Sequence, residues 1–228
     1  MDIITDFDKL SFRCDEVDVK KENAEVKEIV LALKNTMREK KLISLASNQI
    51  GYGKRIFVID FKGDLRTFIN PVVQEINDLT LSREQCSSIP GKTFIIPRFN
   101  KVKIMYQTPM GEIKSCQLVG LAATKFQHLL DHLEGVLVSD VGKEIDESFD
   151  KASEEEREKI IKEYFESLDI LRKEVNKEIE EDKDLMQQVK AIEFVEKVNK
   201  GEIKFEKNEG EKKDVSKNKN KTTKRNKK

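Results

Sequence analysis

Across residues 24–38 the apolar side chains return every third or fourth position, at Val26, Ile29, Val30, Leu33 and Met37. That spacing lays one apolar stripe along a helix. The period then changes. Residues 55–60 (RIFVID) and 67–73 (TFINPVV) are short runs rich in β-branched and aromatic residues, separated by Lys62, Gly63 and Asp64, and they predict two strands with a turn between them. Residues 101–107 and 112–118 alternate polar and apolar around Thr108, Pro109, Met110 and Gly111, which predicts a hairpin with a four-residue loop. Residues 119–133 carry Leu121, Ala122, Phe126, Leu129, Leu130 and Leu133 with few breakers, and Gly135 stands where a helix ends on a left-handed glycine. A helix this apolar is expected to be buried. The fold class expected from these elements is α+β: a largely antiparallel sheet packed around one buried helix, with a helical extension after it.

Beyond about Gly142 charge dominates. Ser153 followed by Glu156 has the form of a capping box, and Ile160, Tyr164, Leu168, Leu171, Val175 and Ile179 continue a helical stripe. A second stripe follows at Leu185, Val189, Ile192 and Val195. From Lys212 onward the chain is lysine, asparagine and threonine with almost nothing apolar, so burial cannot offset the entropy of ordering it. Three parts are therefore expected: a globular domain over 1–145, a charged amphipathic helical extension over 150–200, and a disordered basic tail over 205–228.

Charge and length narrow the field only a little. The 228 residues balance 43 Lys and Arg against 43 Asp and Glu, so the whole chain is not drawn to nucleic acid or to a membrane surface by net charge. No apolar run is long enough to span a bilayer, and Met1, Asp2, Ile3, Ile4, Thr5 and Asp6 lack the form of a secretory signal. A cytoplasmic protein without a membrane partner is expected. Three cysteines, Cys14, Cys86 and Cys116, are too few for a disulfide framework and fit a reducing compartment.

Chemistry enters with the only two histidines, His128 and His132. They are four residues apart inside the apolar helix, so both rings leave the same face about one turn apart, as two imidazoles binding one metal would. A satisfied core histidine is the ordinary alternative for a lone ring, but it accounts less well for a pair.

Three collinear segments then carry a resemblance. Residues 127–135 (QHLLDHLEG) resemble the peptide deformylase signature QHExDHLxG. Residues 84–91 (EQCSSIPG), with Ile96, Pro97 and Arg98 following, resemble EGCLSIPG and its downstream VPR. Residues 42–51 (LISLASNQIG) resemble GxGLAAxQIG. The likeness covers roughly residues 3–140. It implies that Cys86, His128 and His132 hold one divalent metal, ferrous iron first, with zinc or nickel as alternatives; a thiolate and two imidazoles leave a fourth position open, as catalytic sites do. It implies that Gln49 and the backbone N–H of Ser87 steady the oxyanion of a formyl group, and that Glu84 and Arg98 form a salt bridge fixing the cysteine loop. Ser44, Leu45, Gln85, Thr124 and Lys125 fall at positions that frame the substrate. The implied substrate is the N-formylmethionyl nascent peptide, and the basic tail could meet ribosomal RNA at the ribosome.

The departures cluster in the same segments. Where the family has its glutamate, general base and then general acid, this chain has Leu129, which can neither take a proton nor return one. Leu42, Ser44 and Gln85 stand at family glycines, Ser87 at a leucine, and Lys125 near an apolar pocket. The expectation is a deformylase-like metalloprotein that binds metal but is catalytically impaired. Two alternatives stand beside it: a working deformylase with altered proton transfer, and a non-catalytic interaction module stapled by its metal.

Overall fold

A computed structural model describes residues 1–181. The first helix, α1 (Asn23–Lys40), buries Val26, Ile29, Leu33 and Met37, the stripe read from spacing, and ends on Lys41 in the left-handed region. A short strand, β1 (Ser44–Ala46), runs into one turn of 3-10 helix over Ser47–Ile50. β2 (Ile56–Phe61), β3 (Asp64–Cys86), β4 (Ile89–Gln107) and β5 (Ile113–Val119) follow. They pair in chain order, β1-β2-β3-β4-β5, and β6 (Lys143–Ile145) joins β4; every ladder is antiparallel. The turn at Lys62 and Gly63 takes φ of 58° and 98°, the shape that a tight hairpin demands.

Most of the β3–β4 hairpin is absent from the hydrophobic pattern. Between Gln74 and Thr80 every side chain of β3 is exposed, Leu79 included at 60% exposure. With no buried face there is little period-two signal to read. The ladder from Glu75↔Lys103 to Thr80↔Arg98 is held by backbone pairing, which composition does not announce.

Helix α2 (Leu121–Glu134) lies against this sheet and buries Ala123, Phe126, Leu129 and Leu133 with Phe57, Phe68, Val102, Ile104 and Leu118. A second cluster joins α1 to Leu45, Ile56, Val58 and Ile69. Alternation along β1 sends Leu45 to the α1 cluster and Ala46 to the α2 cluster. Polar anchors then fix α2 in place. Gln127 pairs like a strand with the backbone of Phe99, donating to its carbonyl at 2.8 Å and accepting from its N–H at 3.0 Å. Asn48 donates to the His132 carbonyl at 2.6 Å, and the Cys14 N–H donates to that of Leu133 at 2.8 Å.

Gly135 caps α2 at φ 76°, where a Cβ would sit 2.6 Å from the Phe12 backbone nitrogen and 2.7 Å from its carbonyl carbon. Both the backbone shape and the close approach require glycine. Gly135→Ala is therefore expected to lower unfolding stability by about 3 kcal/mol, combining left-handed strain with displacement of residue 12. An unchanged denaturation midpoint would show that the N-terminal segment yields at no cost.

After α2 come short α3 (Val138–Val141), then β6, short α4 (Glu147–Lys151) and α5 (Glu154–Glu181). The capping box at its start forms: Ser153 N–H reaches Glu156 Oε2 at 2.8 Å, and Glu156 N–H reaches Ser153 Oγ at 3.3 Å. Residues Met1–Ile161 form one compact unit. Within it Arg83 on β3 grips Asp150 at 2.6 and 2.8 Å and Arg157 donates to the Phe149 carbonyl at 2.9 Å. The second stripe, Leu185 to Val195, and the basic tail over 205–228 lie outside the described residues. Among the described residues no helix is long and apolar enough to cross a membrane.

Candidate metal centre

Strand β3 ends at Cys86, and Ser87 and Ser88 make the two-residue turn into β4, with Cys86 paired to Ile89. Alternate residues of a strand share a face, so Glu84 and Cys86 point inward while Gln85 points out. Helix α2 presents His128 and His132 to the same spot, their ring centroids 5.1 Å apart. Cys86 Sγ lies 3.2 Å from His132 Nε2, and the donor atoms of Cys86, His128 and His132 all fall within 4.8 Å of one another. All three side chains are buried.

A chain of charges stands behind the cluster. His128 Nδ1 meets Glu84 Oε2 at 2.8 Å; Arg98 donates to both Glu84 oxygens at 2.8 and 3.1 Å and to Asp131 at 2.6 Å. The carboxylate takes up Nδ1, which leaves His128 Nε2 free for the cluster. Burial works against charge on Glu84, but its bonds to His128 and Arg98 more than offset that and hold the carboxyl down to about 2. Burial likewise raises the Cys86 thiol, yet hydrogen bonding to the two imidazoles outweighs it and brings the thiol down to about 5. Burial lowers His128 as well, and its contacts with the Cys86 sulfur and Glu84 overcome that to raise it to about 9. The two shifts belong to one pair, a thiolate beside an imidazolium, and a cation binding there would take the place of the proton on His128 Nε2. One thiolate and two imidazoles within a few ångströms, one ring oriented by a buried carboxylate, fit a divalent cation of the zinc or ferrous type.

Of the other residues singled out from sequence, some converge here and some do not. Gln49 does: its Oε1 accepts from the Ala46 N–H at 3.0 Å, and its Nε2 lies 3.8 Å from Cys86 Sγ. Ser87 lies beside it. Leu129, 1% exposed, packs into the main apolar cluster with Ala46, Phe57 and Phe126. Thr124 is buried one turn before His128 on the helix, and Lys125 and Ser44 are half-buried. Leu45 turns to the α1 side of the sheet and Gln85 bonds Thr93 at 3.0 Å on the exposed side; neither side chain faces the cluster. The residues standing at family glycines do not need a glycine backbone: among the described residues the non-glycine positions with positive φ are Lys41, Lys62, Asn70 and Asp78, not Leu42, Ser44 or Gln85.

Two working parts were not legible. Asp131, one residue before the second histidine, completes the Arg98 network. Gln127 appears in the sequence only as the letter before the first histidine, and its bidentate hold on Phe99 fixes the rotation of α2. A glutamine in an apolar helix beside a metal-spaced pair was the available signal, since an amide even half-buried there must find partners.

A model of the polypeptide deformylase family matches residues 2–148. The peptide deformylase of Dictyoglomus turgidum is 35% identical over 122 residues, 54% of this chain and 80% of that protein. The crystal structure of peptide deformylase from Thermotoga maritima superposes with a TM-score of 0.54 at 30% identity, covering 62% of this chain and 95% of that one. A peptide deformylase from Synechococcus elongatus, solved in complex with actinonin, gives 0.57 at 29% identity over 63% of this chain and 78% of that one.

Proposed function

We propose, from the premise that the chain belongs to the polypeptide deformylase family, that it is a metal-binding deformylase whose hydrolysis is slowed by the loss of its proton carrier. The observation that carries the proposal is the pairing of an assembled Cys86, His128 and His132 cluster with an aliphatic Leu129 next to the first histidine. Cys86, His128 and His132 would hold the cation, ferrous iron before zinc or nickel. Bound there, such a cation supplies Lewis acidity that favours ionised water and a polarised carbonyl at neutral pH.

What the chain itself contributes follows from its side chains. The Gln49 amide and the Ser87 N–H are the donors for charge developing on a formyl oxygen. Glu84, braced by Arg98, keeps His128 in the tautomer a ligand needs. Leu129 has no group that can take a proton from water and pass it to the leaving amine, a service worth roughly 10²- to 10⁴-fold. Formate release from formyl-Met-Ala-Ser by the ferrous protein is expected, but slower by about that factor than a deformylase with the glutamate.

Binding of one equivalent of cobalt(II), followed by the absorption of its thiolate bond, tests the ligand set apart from turnover. In His132→Ala the affinity should fall by more than the roughly 10- to 100-fold seen for lost supporting partners. A variant that still binds one equivalent with unchanged affinity sinks the assignment. The near-complete burial of all three donors favours a second reading, in which the ion only staples the fold. Chelation separates the two: a staple should unfold when stripped, whereas a catalytic centre keeps its secondary structure.

A further inference from the structure

Gln49 is held so that few choices remain for its amide hydrogens. Its Oε1 is engaged by the Ala46 N–H at 3.0 Å, which fixes which end of the carboxamide faces the cluster. Nε2 then has Ser88 Oγ at 3.1 Å, Ser87 Oγ at 3.2 Å and Cys86 Sγ at 3.8 Å. An amide nitrogen carries two hydrogens. The buried Ser88 hydroxyl takes one. The second is contested by the Ser87 hydroxyl and the more distant sulfur, and an oxygen at 3.2 Å is the better acceptor. Ser87 is half-buried, at the rim of the cluster and in the turn that carries Cys86. Leucine, the residue of the family pattern at this position, has no acceptor to offer.

We infer that Ser87 is a positioning residue that ties up the Gln49 hydrogen an oxyanion would need, and so restrains the centre independently of Leu129. This rests on the reading of Gln49 as an oxyanion donor. A bound carbonyl must displace the serine oxygen before it can claim that hydrogen, so part of the interaction is exchanged instead of gained. The donor is present and correctly oriented, yet already satisfied.

The inference is tested on the full chain with two readouts that need no turnover. In the metal-free protein, the side-chain amide resonances of Gln49 report its hydrogen bonds directly. Ser87→Leu and Ser87→Ala should each shift one of the two Gln49 amide protons and quicken its exchange, and unchanged resonances in both variants overturn the inference. In the cobalt(II) protein, sodium formate titrated against the thiolate absorption should bind roughly fivefold tighter to either variant than to the parent, the weight of about one neutral hydrogen bond. In a Gln49→Ala background the same Ser87 substitutions should change formate affinity less than twofold. If the gain persists there, Ser87 acts through the shape of the cleft and not through Gln49, and the inference fails. If neither parent nor variant binds formate while cobalt still binds, the oxyanion reading of Gln49 falls and takes the inference with it; loss of cobalt binding in the parent would instead mark failure of the ligand assignment, with the amide resonances still deciding the contact.

Discussion

Leu129→Glu should raise formate release from formyl-Met-Ala-Ser by about 10²- to 10⁴-fold, the usual worth of a positioned acid and base. The substitution returns a proton carrier beside His128 while leaving Cys86, His128 and His132 untouched. It also places a carboxyl where a leucine is 1% exposed and packs with Ala46, Phe57, Phe126 and Leu133. An unpaired carboxylate does not survive in such surroundings, so in the metal-free variant it takes up a proton and the fold loses roughly 1–3 kcal/mol. Loading the metal should return part of that stability, since a nearby cation favours the ionised carboxylate. Leu129→Gln has nearly the same shape and polarity without the proton, and should show the stability loss without the gain in rate. If Leu129→Glu binds a full equivalent of metal and hydrolyses no faster than Leu129→Gln, the missing carboxylate is not what limits this protein, and the tied amide of Gln49 becomes the first alternative.

The second large effect concerns the charge chain behind the rings. Arg98→Met should lower unfolding stability by about 3–5 kcal/mol, because Glu84, with none of its side chain exposed, would be left in the interior with one imidazole and no guanidinium. For a unit of this size that is a fall in melting temperature on the order of 10 °C. Metal affinity should fall with it by roughly 10- to 100-fold, since His128 loses the braced carboxylate that orients it. The diagnostic partner is Glu84→Gln combined with Arg98→Met. Removing both charges should recover much of the stability, as replaced buried pairs often do, but little of the metal affinity. Equal recovery of both would mean that the network is structural only and does not serve the centre.

The sequence by itself determined the elements with a strong hydrophobic period and the identity of the donors. Helix α1 and helix α2 fall where three- and four-residue spacing places them, because each buries one face against a sheet and burial writes that period into the chain. The two histidines are one turn apart on α2 by covalent spacing alone, so their convergence needed no tertiary information. The absence of a carboxylate at Leu129 is likewise a fact of the chain. Only the tertiary structure decided where distant segments meet. Cys86 is 46 residues from His132, and it arrives because a long hairpin with a largely exposed middle carries it there; exposed strands leave no alternation to read. Leu45 and Ala46 are neighbours in sequence, yet the pleat sends them to opposite faces of the sheet. The contact of Ser87 with the Gln49 amide joins residues 38 positions apart at 3.2 Å, and a hydrogen bond weakens steeply with small changes in distance and angle.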